Sequence, residues 1–112
     1  MKIYHNPRCS KSRTGLAYLQ TKNIEFEVID YIKTPLTEED LNKILMLLNK
    51  KASEMVRAQE EMYKKELKGK NFTEEEWIKI IVKNPRLLQR PIVVGKTKAV
   101  WAQPPELIDD IL

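Results

Sequence analysis

The chain has 112 residues and a formal net charge of +4, and this length suits one domain rather than two independent cores. Apolar residues make up 42% and charged residues 32% of the sequence, a balance that excludes an intrinsically disordered chain. The longest uninterrupted apolar run covers residues 44–48, whereas a membrane-spanning helix needs roughly 20 apolar residues, so we expect no membrane span.

The first third of the chain predicts a β-α-β unit. Residues 2–4 are β-prone and lead into an Asn-Pro turn, which predicts a strand. Residues 10–22 predict a helix, within which Gly15 is unfavourable. Residues 24–32 alternate between apolar and charged side chains and predict a second strand, parallel to the first. The residues that share the apolar face of this strand are predicted to be Ile24, Phe26 and Val28.

The middle of the chain has helical patterns. Residues 37–40 (TEED) predict a capping box at the start of one helix, and residues 73–76 (TEEE) predict another. Between them, residues 53–67 predict a shorter or broken helix, and Asn84-Pro85 is expected to end the last one. The core-facing residues are predicted to be Leu41, Ile44, Leu45 and Leu48 in the first helix, and Trp77, Ile80 and Ile81 in the last.

Extended structure is predicted again near the end of the chain. Residues 91–94 and 98–101 flank a Gly-Lys-Thr turn and predict an antiparallel hairpin. After Pro104-Pro105, residues 106–112 predict a helix. Its inward-facing residues are predicted to be Leu107, Ile108, Ile111 and Leu112.

The order of these elements is β-α-β, helices, β-β-α. It predicts an α/β fold with a thioredoxin-like, mixed four-stranded sheet and a helical insertion at about residues 37–88. The sequence has no repeat and no low-complexity linker. We therefore expect a single thioredoxin-like domain over residues 1–112.

The charge pattern does not favour nucleic acid as a partner. Residues 1–36 carry six basic and three acidic side chains, so the excess positive charge lies in the first third of the chain. The lysines of residues 50–70 are mixed with glutamates and have only Tyr63 as an aromatic neighbour, whereas a nucleic-acid-binding face combines basic and aromatic side chains. This pattern is typical of a solvated surface.

Cys9 is the only cysteine, which excludes an intramolecular disulfide and a zinc site of several cysteines. We expect a reducing, cytoplasmic compartment. Cys9 follows the first strand and opens the first helix, where free backbone N–H groups and the helix dipole favour both a thiolate and a bound oxyanion. Arg8, Lys11 and Arg13 add positive charge, so the pattern predicts an activated nucleophile. The alternative is a buried, inert cysteine.

Two further residues of this motif are candidates for tuning the thiol. His5 lies four residues before Cys9 across the turn, so a hydrogen bond between them is within reach; the alternative is a surface imidazole. Ser12 could contact the sulfur through its hydroxyl or simply cap the helix.

Three stretches of the chain resemble one known family. Residues 4–13 (YHNPRCSKSR) resemble the first signature of the glutaredoxin-linked arsenate reductase family. Residues 90–94 (RPIVV) look like its second signature, and residues 104–112 (PPELIDDIL) look like its third. The similarity covers essentially the whole chain. The same superfamily includes transcriptional regulators of the Spx type.

The resemblance implies a reductase of arsenate or a similar small oxyanion. Cys9 would be the nucleophile, with His5 and Ser12 tuning its thiolate. Glutathione would be the co-substrate and glutaredoxin the partner that completes reduction to arsenite. The resemblance implies no tightly bound cofactor and no metal.

The resemblance also implies an oxyanion site made of arginines. Arg57 and Arg90 match two of the three arginines that bind the oxyanion in the family, and Arg8 adds charge beside the thiol. The third arginine would fall at position 103, where this chain has Gln103. Because thioredoxin-like folds often carry a cis proline facing the nucleophile, we predict a cis peptide bond between Arg90 and Pro91.

Two alternatives remain open at this point. One is an Spx-like regulator that binds RNA polymerase; its thiol switch commonly uses Cys-x-x-Cys, and here the second position is Ser12. The other is a thiol enzyme with a different small substrate, which the Gln103 departure favours.

Overall fold

The computed structural model describes all 112 residues, and its central feature is a four-stranded sheet in the order β2-β1-β3-β4. The strand β1 pairs in parallel with β2 and antiparallel with β3, and β3 pairs antiparallel with β4. The predicted mixed sheet is therefore confirmed. The strands are β1 (Lys2–His5), β2 (Glu27–Asp30), β3 (Ile92–Val94) and β4 (Ala99–Trp101).

The three α-helices begin where the sequence patterns predict them. The α-helices are α1 (Ser10–Gln20), α2 (Glu38–Leu48) and α3 (Glu74–Lys83). Shorter 3₁₀ helices cover Ala52–Met55, Pro85–Leu87 and Pro105–Ile111, and a π-helical turn covers Tyr63–Leu67. None of these helices has the length and apolar character needed to cross a bilayer.

The chain divides into two compact units. We call Met1–Thr34 with Arg90–Leu112 the sheet unit, and Pro35–Gln89 the helical unit. The helical unit contains the residues of the insertion predicted at about 37–88. That both units form one domain over residues 1–112 stays a prediction.

The core of the sheet unit lies between β1, β3, α1 and the last 3₁₀ helix. Its fully buried residues are Ile3, Leu19, Val93, Ala102 and Ile108. The helix α1 lies close to Pro91, the residue before β3, at Gly15, where an added Cβ would lie 2.5 Å from Cγ of Pro91. This close approach explains why α1 has a glycine in its interior in spite of the cost to helix stability.

In the helical unit, both predicted capping boxes are confirmed. The Thr37 hydroxyl accepts the N–H of Asp40, whose carboxylate accepts the N–H of Thr37, and Thr73 and Glu76 repeat this arrangement. The predicted core residues of α2 are all buried. In α3, Trp77 and Ile81 are buried as predicted, together with Ile78, whereas Ile80 is only half-buried. The helix predicted at 53–67 is broken between Met55 and Tyr63.

The second strand is shorter than the predicted range of residues 24–32. The register pairs Glu27 with Lys2 at the start of β1, so the preceding residues have no strand to pair with. At the other end, the Asp30 carboxylate accepts the N–H groups of Ile32 and Lys33, which closes a turn. Of the three residues predicted to share one apolar face, Ile24 and Phe26 pack against the core of the sheet unit, whereas Val28 is 47% exposed.

The last helix is a 3₁₀ helix, and this changes which residues it buries. A 3₁₀ helix has three residues per turn, so Ile108 and Ile111 share the face that packs against the core. The prediction that Leu107 and Leu112 face inward is wrong, since they are 36% and 55% exposed. The error came from assuming the 3.6-residue period of an α-helix.

Candidate active site

Cys9 is the N-cap residue of α1, directly after the loop that follows β1. Its N–H donates to the Asn6 carbonyl at 3.0 Å, and its own carbonyl accepts the N–H of Arg13 at 3.0 Å. The Asn6 side chain accepts the N–H of Arg8 at 3.0 Å, and the Arg13 guanidinium donates to the Pro7 carbonyl at 2.9 Å. These bonds hold the loop in a defined conformation and leave the thiol partly exposed.

The surroundings of Cys9 favour its thiolate. Burial raises the pKa of the Cys9 thiol, but the backbone N–H of Ser12, the hydrogen bond and charge of Arg90, and the backbone N–H of Lys11 together outweigh this effect. The net result is a Cys9 pKa below its ordinary value. Free N–H groups at a helix N-terminus and a nearby cation are the features that activate cysteines in proteins.

Arg90 is the charged group that the fold brings to the thiol. The residue is only 7% exposed, and its hydrogen bond to Cys9 is one of the causes of the lowered thiol pKa. It lies two residues before the start of β3, and the peptide bond between Arg90 and Pro91 is cis, as predicted. The guanidinium therefore lies where an oxyanion bound beside the sulfur would need a partner.

His5 and Ser12 meet in the interior beside the loop. Nδ1 of His5 lies 2.7 Å from the Ser12 hydroxyl oxygen, which also accepts the N–H of Asn6 at 3.0 Å. Burial is the main cause that lowers the pKa of His5, although the charge of Asp30 and a hydrogen bond with the Ser12 backbone oppose it. A neutral imidazole that accepts the Ser12 O–H at Nδ1 fits both observations. The hydroxyl of Ser12 thus anchors the loop, and its backbone N–H is the group that acts on the thiol.

The other predicted substrate-binding residues lie in three separate segments of the chain. Arg8 is exposed in the loop before Cys9. Gln103 is half-buried after β4, its N–H donates to the Trp101 carbonyl at 2.8 Å, and its peptide bond to Pro104 is cis. Arg57 belongs to the helical unit, where its guanidinium forms a 2.8 Å ion pair with Glu60.

Two residues near the thiol were not predicted from the sequence. Asn6 is buried and uses both its side chain and its carbonyl to shape the loop; the Asn-Pro pair, typical of turns, was the available signal. The indole N–H of Trp101 donates to the Arg90 carbonyl at 3.3 Å. No sequence pattern indicates this contact, because it depends on the pairing of β3 with β4. No group of His, Cys, Asp and Glu side chains in the structure could hold a metal ion.

A mixed four-stranded sheet with a thiol at the start of its first helix and a cis proline before its third strand defines a thioredoxin-like thiol protein. The model of the ArsC family matches residues 4–111, and the chain belongs to this family.

The most informative relatives align over nearly the full length of both chains. An uncharacterised Escherichia coli K12 protein, YfgD, is 42% identical over 100% of this chain and 96% of its own. An arsenate reductase of Neisseria meningitidis serogroup A is 38% identical over 100% of this chain and 97% of its own. The solved structure of an arsenate reductase from Vibrio cholerae is 36% identical, with a TM-score of 0.92 over 100% of this chain and 98% of that chain.

Proposed function

We propose that the protein is a thiol-dependent reductase of arsenate, or of a similar small tetrahedral oxyanion, with Cys9 as its nucleophile. The observation that carries this proposal is the environment of Cys9, a thiol at the start of α1 with the Arg90 guanidinium hydrogen-bonded to it. A helix N-terminus and an arginine favour an anionic substrate as well as the thiolate that attacks it. The relatives named arsenate reductases support arsenate as the first substrate to test.

The first chemical step is attack of the Cys9 thiolate on arsenic. A sulfur–arsenic bond forms and an arsenic–oxygen bond breaks, and the leaving hydroxyl group takes up one proton from solvent and departs as water. Arg90 would hold the remaining oxygens while the charge shifts. His5 and Ser12 would maintain the loop geometry in which the thiol is ionised.

The second thiol must come from another molecule. Reduction of arsenic(V) to arsenic(III) takes two electrons, which two thiols supply when they join in a disulfide; arsenate and two thiols give arsenite, a disulfide and water. Cys9 is the only cysteine of the chain. Glutathione is the small thiol proposed here, and it would leave a mixed disulfide on Cys9. Glutaredoxin would then release the Cys9 thiol by thiol–disulfide exchange and become oxidised itself.

The proposed oxyanion ligands are Arg90, Arg57 and Arg8. Because Arg57 is paired with Glu60, an oxyanion that binds Arg57 would compete with that carboxylate. Gln103 would supply a neutral hydrogen bond where the family resemblance implies an arginine. This neutral position also favours a second candidate, a thiol enzyme whose small substrate carries less charge than arsenate.

The decisive experiment is arsenate turnover by the purified protein with glutathione, glutaredoxin and a glutathione-recycling system. We expect arsenite to form with the wild-type protein and not with Cys9→Ser. Circular dichroism of Cys9→Ser controls for folding. If the wild-type protein forms no more arsenite than Cys9→Ser, arsenate is not the substrate.

A further inference from the structure

Trp101 contacts the main chain of two candidate oxyanion ligands, Arg90 and Gln103. Its indole N–H donates to the Arg90 carbonyl at 3.3 Å, and its own carbonyl accepts the N–H of Gln103 at 2.8 Å. The next residue, Ala102, donates its N–H to the Pro91 carbonyl at 2.9 Å. The end of β4 therefore holds the segment that carries Arg90.

The position of the Arg90 guanidinium depends on this main-chain segment. An arginine side chain is long, and in water its head would sample many rotamers. Arg90 is 93% buried, by its relative exposure of 7%, so the packing of its stem and the position of its Cα determine where the guanidinium lies. A hydrogen bond to the Arg90 carbonyl acts directly on that position.

A strand residue at position 101 does not need an indole for the fold. Position 101 pairs with Ile92 in the β3–β4 ladder and is half-buried. Phenylalanine, tyrosine and the β-branched residues satisfy such a position equally well. What tryptophan adds is a ring N–H that can only donate, and here it donates to a carbonyl of the site.

We propose that Trp101 is a positioning residue, which holds Arg90 beside Cys9 through the hydrogen bond to the Arg90 carbonyl. In this role, Trp101 acts on the thiol through Arg90. The inference deepens the proposed function because it concerns the same site, but it can be tested on the thiol alone, without arsenate.

The test uses Trp101→Phe, which keeps an aromatic ring and removes the N–H donor. The pH dependence of Cys9 alkylation by iodoacetamide reports the thiol pKa without ambiguity, because the chain has one cysteine. We expect Trp101→Phe to raise the midpoint of Cys9 alkylation by about 0.3–1 pH unit. This is the shift expected when the thiolate loses the stabilisation of about one hydrogen bond. The matched control is Trp77→Phe, whose ring packs against Phe72 in the helical unit, and its midpoint should equal the wild-type value.

A double variant separates positioning from a general loosening of the fold. In an Arg90→Gln background, Trp101→Phe should produce no further rise, because the group through which it acts is gone. An equal rise in both backgrounds, or a wild-type midpoint in Trp101→Phe, would overturn the proposal. If Trp101→Phe does not fold, Trp101→Ile, a β-branched residue without a side-chain donor, serves in its place.

A second measurement leaves Trp101 in place. In Trp77→Phe, Trp101 is the only tryptophan, so its emission reports on its own surroundings. Titration with arsenate should change this emission in step with the heat of binding measured by calorimetry. Binding heat without any change in emission argues against the link between Trp101 and Arg90. If no binding heat appears, the proposed oxyanion function fails, and the alkylation result alone decides the role of Trp101.

Discussion

At Cys9, burial and hydrogen bonding act in opposite directions on the ionisation of the thiol. Burial raises its pKa, whereas the backbone N–H groups of Ser12 and Lys11 and the Arg90 side chain lower it, and the lowering effects are the larger. A lowered pKa means that the thiolate already dominates at a pH where a free cysteine is mostly protonated. The reactivity of Cys9 should therefore rise with pH at unusually low values and then level off.

Arg90→Gln tests this balance directly. We expect the wild-type alkylation rate to reach its midpoint below about 8.5, the pKa of a free cysteine, and the variant's midpoint to be higher because the hydrogen bond and charge of Arg90 are lost. The control is Lys96→Gln, which removes the same charge from an exposed position in the β3–β4 turn. A wild-type midpoint at or above 8.5 would contradict an activated thiolate.

Gln103→Arg tests whether position 103 belongs to the oxyanion site. If it does, the added guanidinium should tighten arsenate or sulfate binding by roughly one to two orders of magnitude, as expected for one charge-assisted hydrogen bond. Calorimetry measures the affinity, and Gln20→Arg, at an exposed position of α1, controls for the change in net charge. Equal affinities in wild type and Gln103→Arg would remove position 103 from the site.

Arg57 and Arg90 are predicted to bind the oxyanion, and alanine variants separate their contributions. Arg90→Ala should weaken sulfate or arsenate binding about ten- to a hundredfold. Arg57→Ala should weaken anion binding less, because the Arg57 guanidinium is already paired with the Glu60 carboxylate in the free protein. Unchanged affinity in both variants, by the same calorimetric titration, would show that neither arginine binds the anion.

At the scale of the residue, the sequence was sufficient to predict that Cys9 lies at the start of α1, but not the contacts around it. The position of Cys9 between a strand and a helix follows from local patterns, and so do the charges beside it. The hydrogen bond between His5 and Ser12 and the contact of Trp101 with Arg90 could not be predicted. Both depend on distances between groups that are far apart in the sequence or in different parts of the fold, which no local pattern encodes.

Among the elements, α1 contains a residue of low helix propensity in its interior. Gly15 lies in the interior of α1, and a side chain there would collide with the rigid ring of Pro91. The glycine is therefore required by the packing of α1 on the segment that carries Arg90.

Gly15→Ala should destabilise the protein. Helix propensity alone would make this change stabilising by about 1 kcal/mol, whereas a Cβ at 2.5 Å from Pro91 Cγ forces a shift of the kind that costs about 1–3 kcal/mol. We expect a lower unfolding midpoint in urea for Gly15→Ala and little change for Gln20→Ala, an exposed position of the same helix. A stabilised Gly15→Ala would show that the helix can move away from Pro91 freely.

The capping box of α3 should make part of the stability depend on pH. The N–H of Thr73 is the main cause that lowers the pKa of Glu76 from its ordinary value of 4.5. A group with a lowered pKa in the folded state stabilises the fold above its ordinary pKa, and this contribution is lost as the pH falls through the lowered value. The difference in Tm between wild type and Glu76→Ala should therefore be largest near neutral pH and shrink in acid.

Glu75→Ala is the control for this experiment. Glu75 lies in the same first turn and also bears a charge near the helix N-terminus, but its carboxylate makes only a long 3.9 Å ion pair with Lys79. Its effect on Tm should be smaller than that of Glu76→Ala at neutral pH. Equal effects of the two substitutions would attribute the stability to the helix dipole rather than to the cap.

At the scale of elements, sequence patterns predicted the helix starts and the apolar face of α2. They were wrong about the length of β2 and about the buried face of the last helix. The capping boxes and the apolar face of α2 were predicted from spacing alone and are confirmed. The second strand was predicted too long because its alternation extends beyond the residues that β1 can pair with. In the last helix, Leu107 and Leu112 were wrongly predicted to face inward, since sequence patterns do not distinguish a 3₁₀ helix from a short α-helix.

Because the whole molecule has a single cysteine, the proposed reaction leaves Cys9 in a disulfide with another molecule. After one round of the proposed reduction with glutathione but without glutaredoxin, the protein should carry one glutathione on Cys9, which mass spectrometry of the intact chain detects. Adding glutaredoxin should remove it. Omitting arsenate while keeping glutathione is the control. If arsenite forms while the protein remains unmodified, the disulfide that supplies the electrons does not form at Cys9.

The exposed edge of the sheet affects how the chain behaves at high concentration. An unpaired edge strand offers backbone groups to which a second copy could add its own strand and so begin aggregation. In β2, the apolar Val28 and Ile29 lie between the carboxylates of Glu27 and Asp30. Two such strands placed edge to edge in register bring like charges together in either orientation, which destabilises the pair. The charges at the two ends of β2 thus protect its exposed valine from self-association.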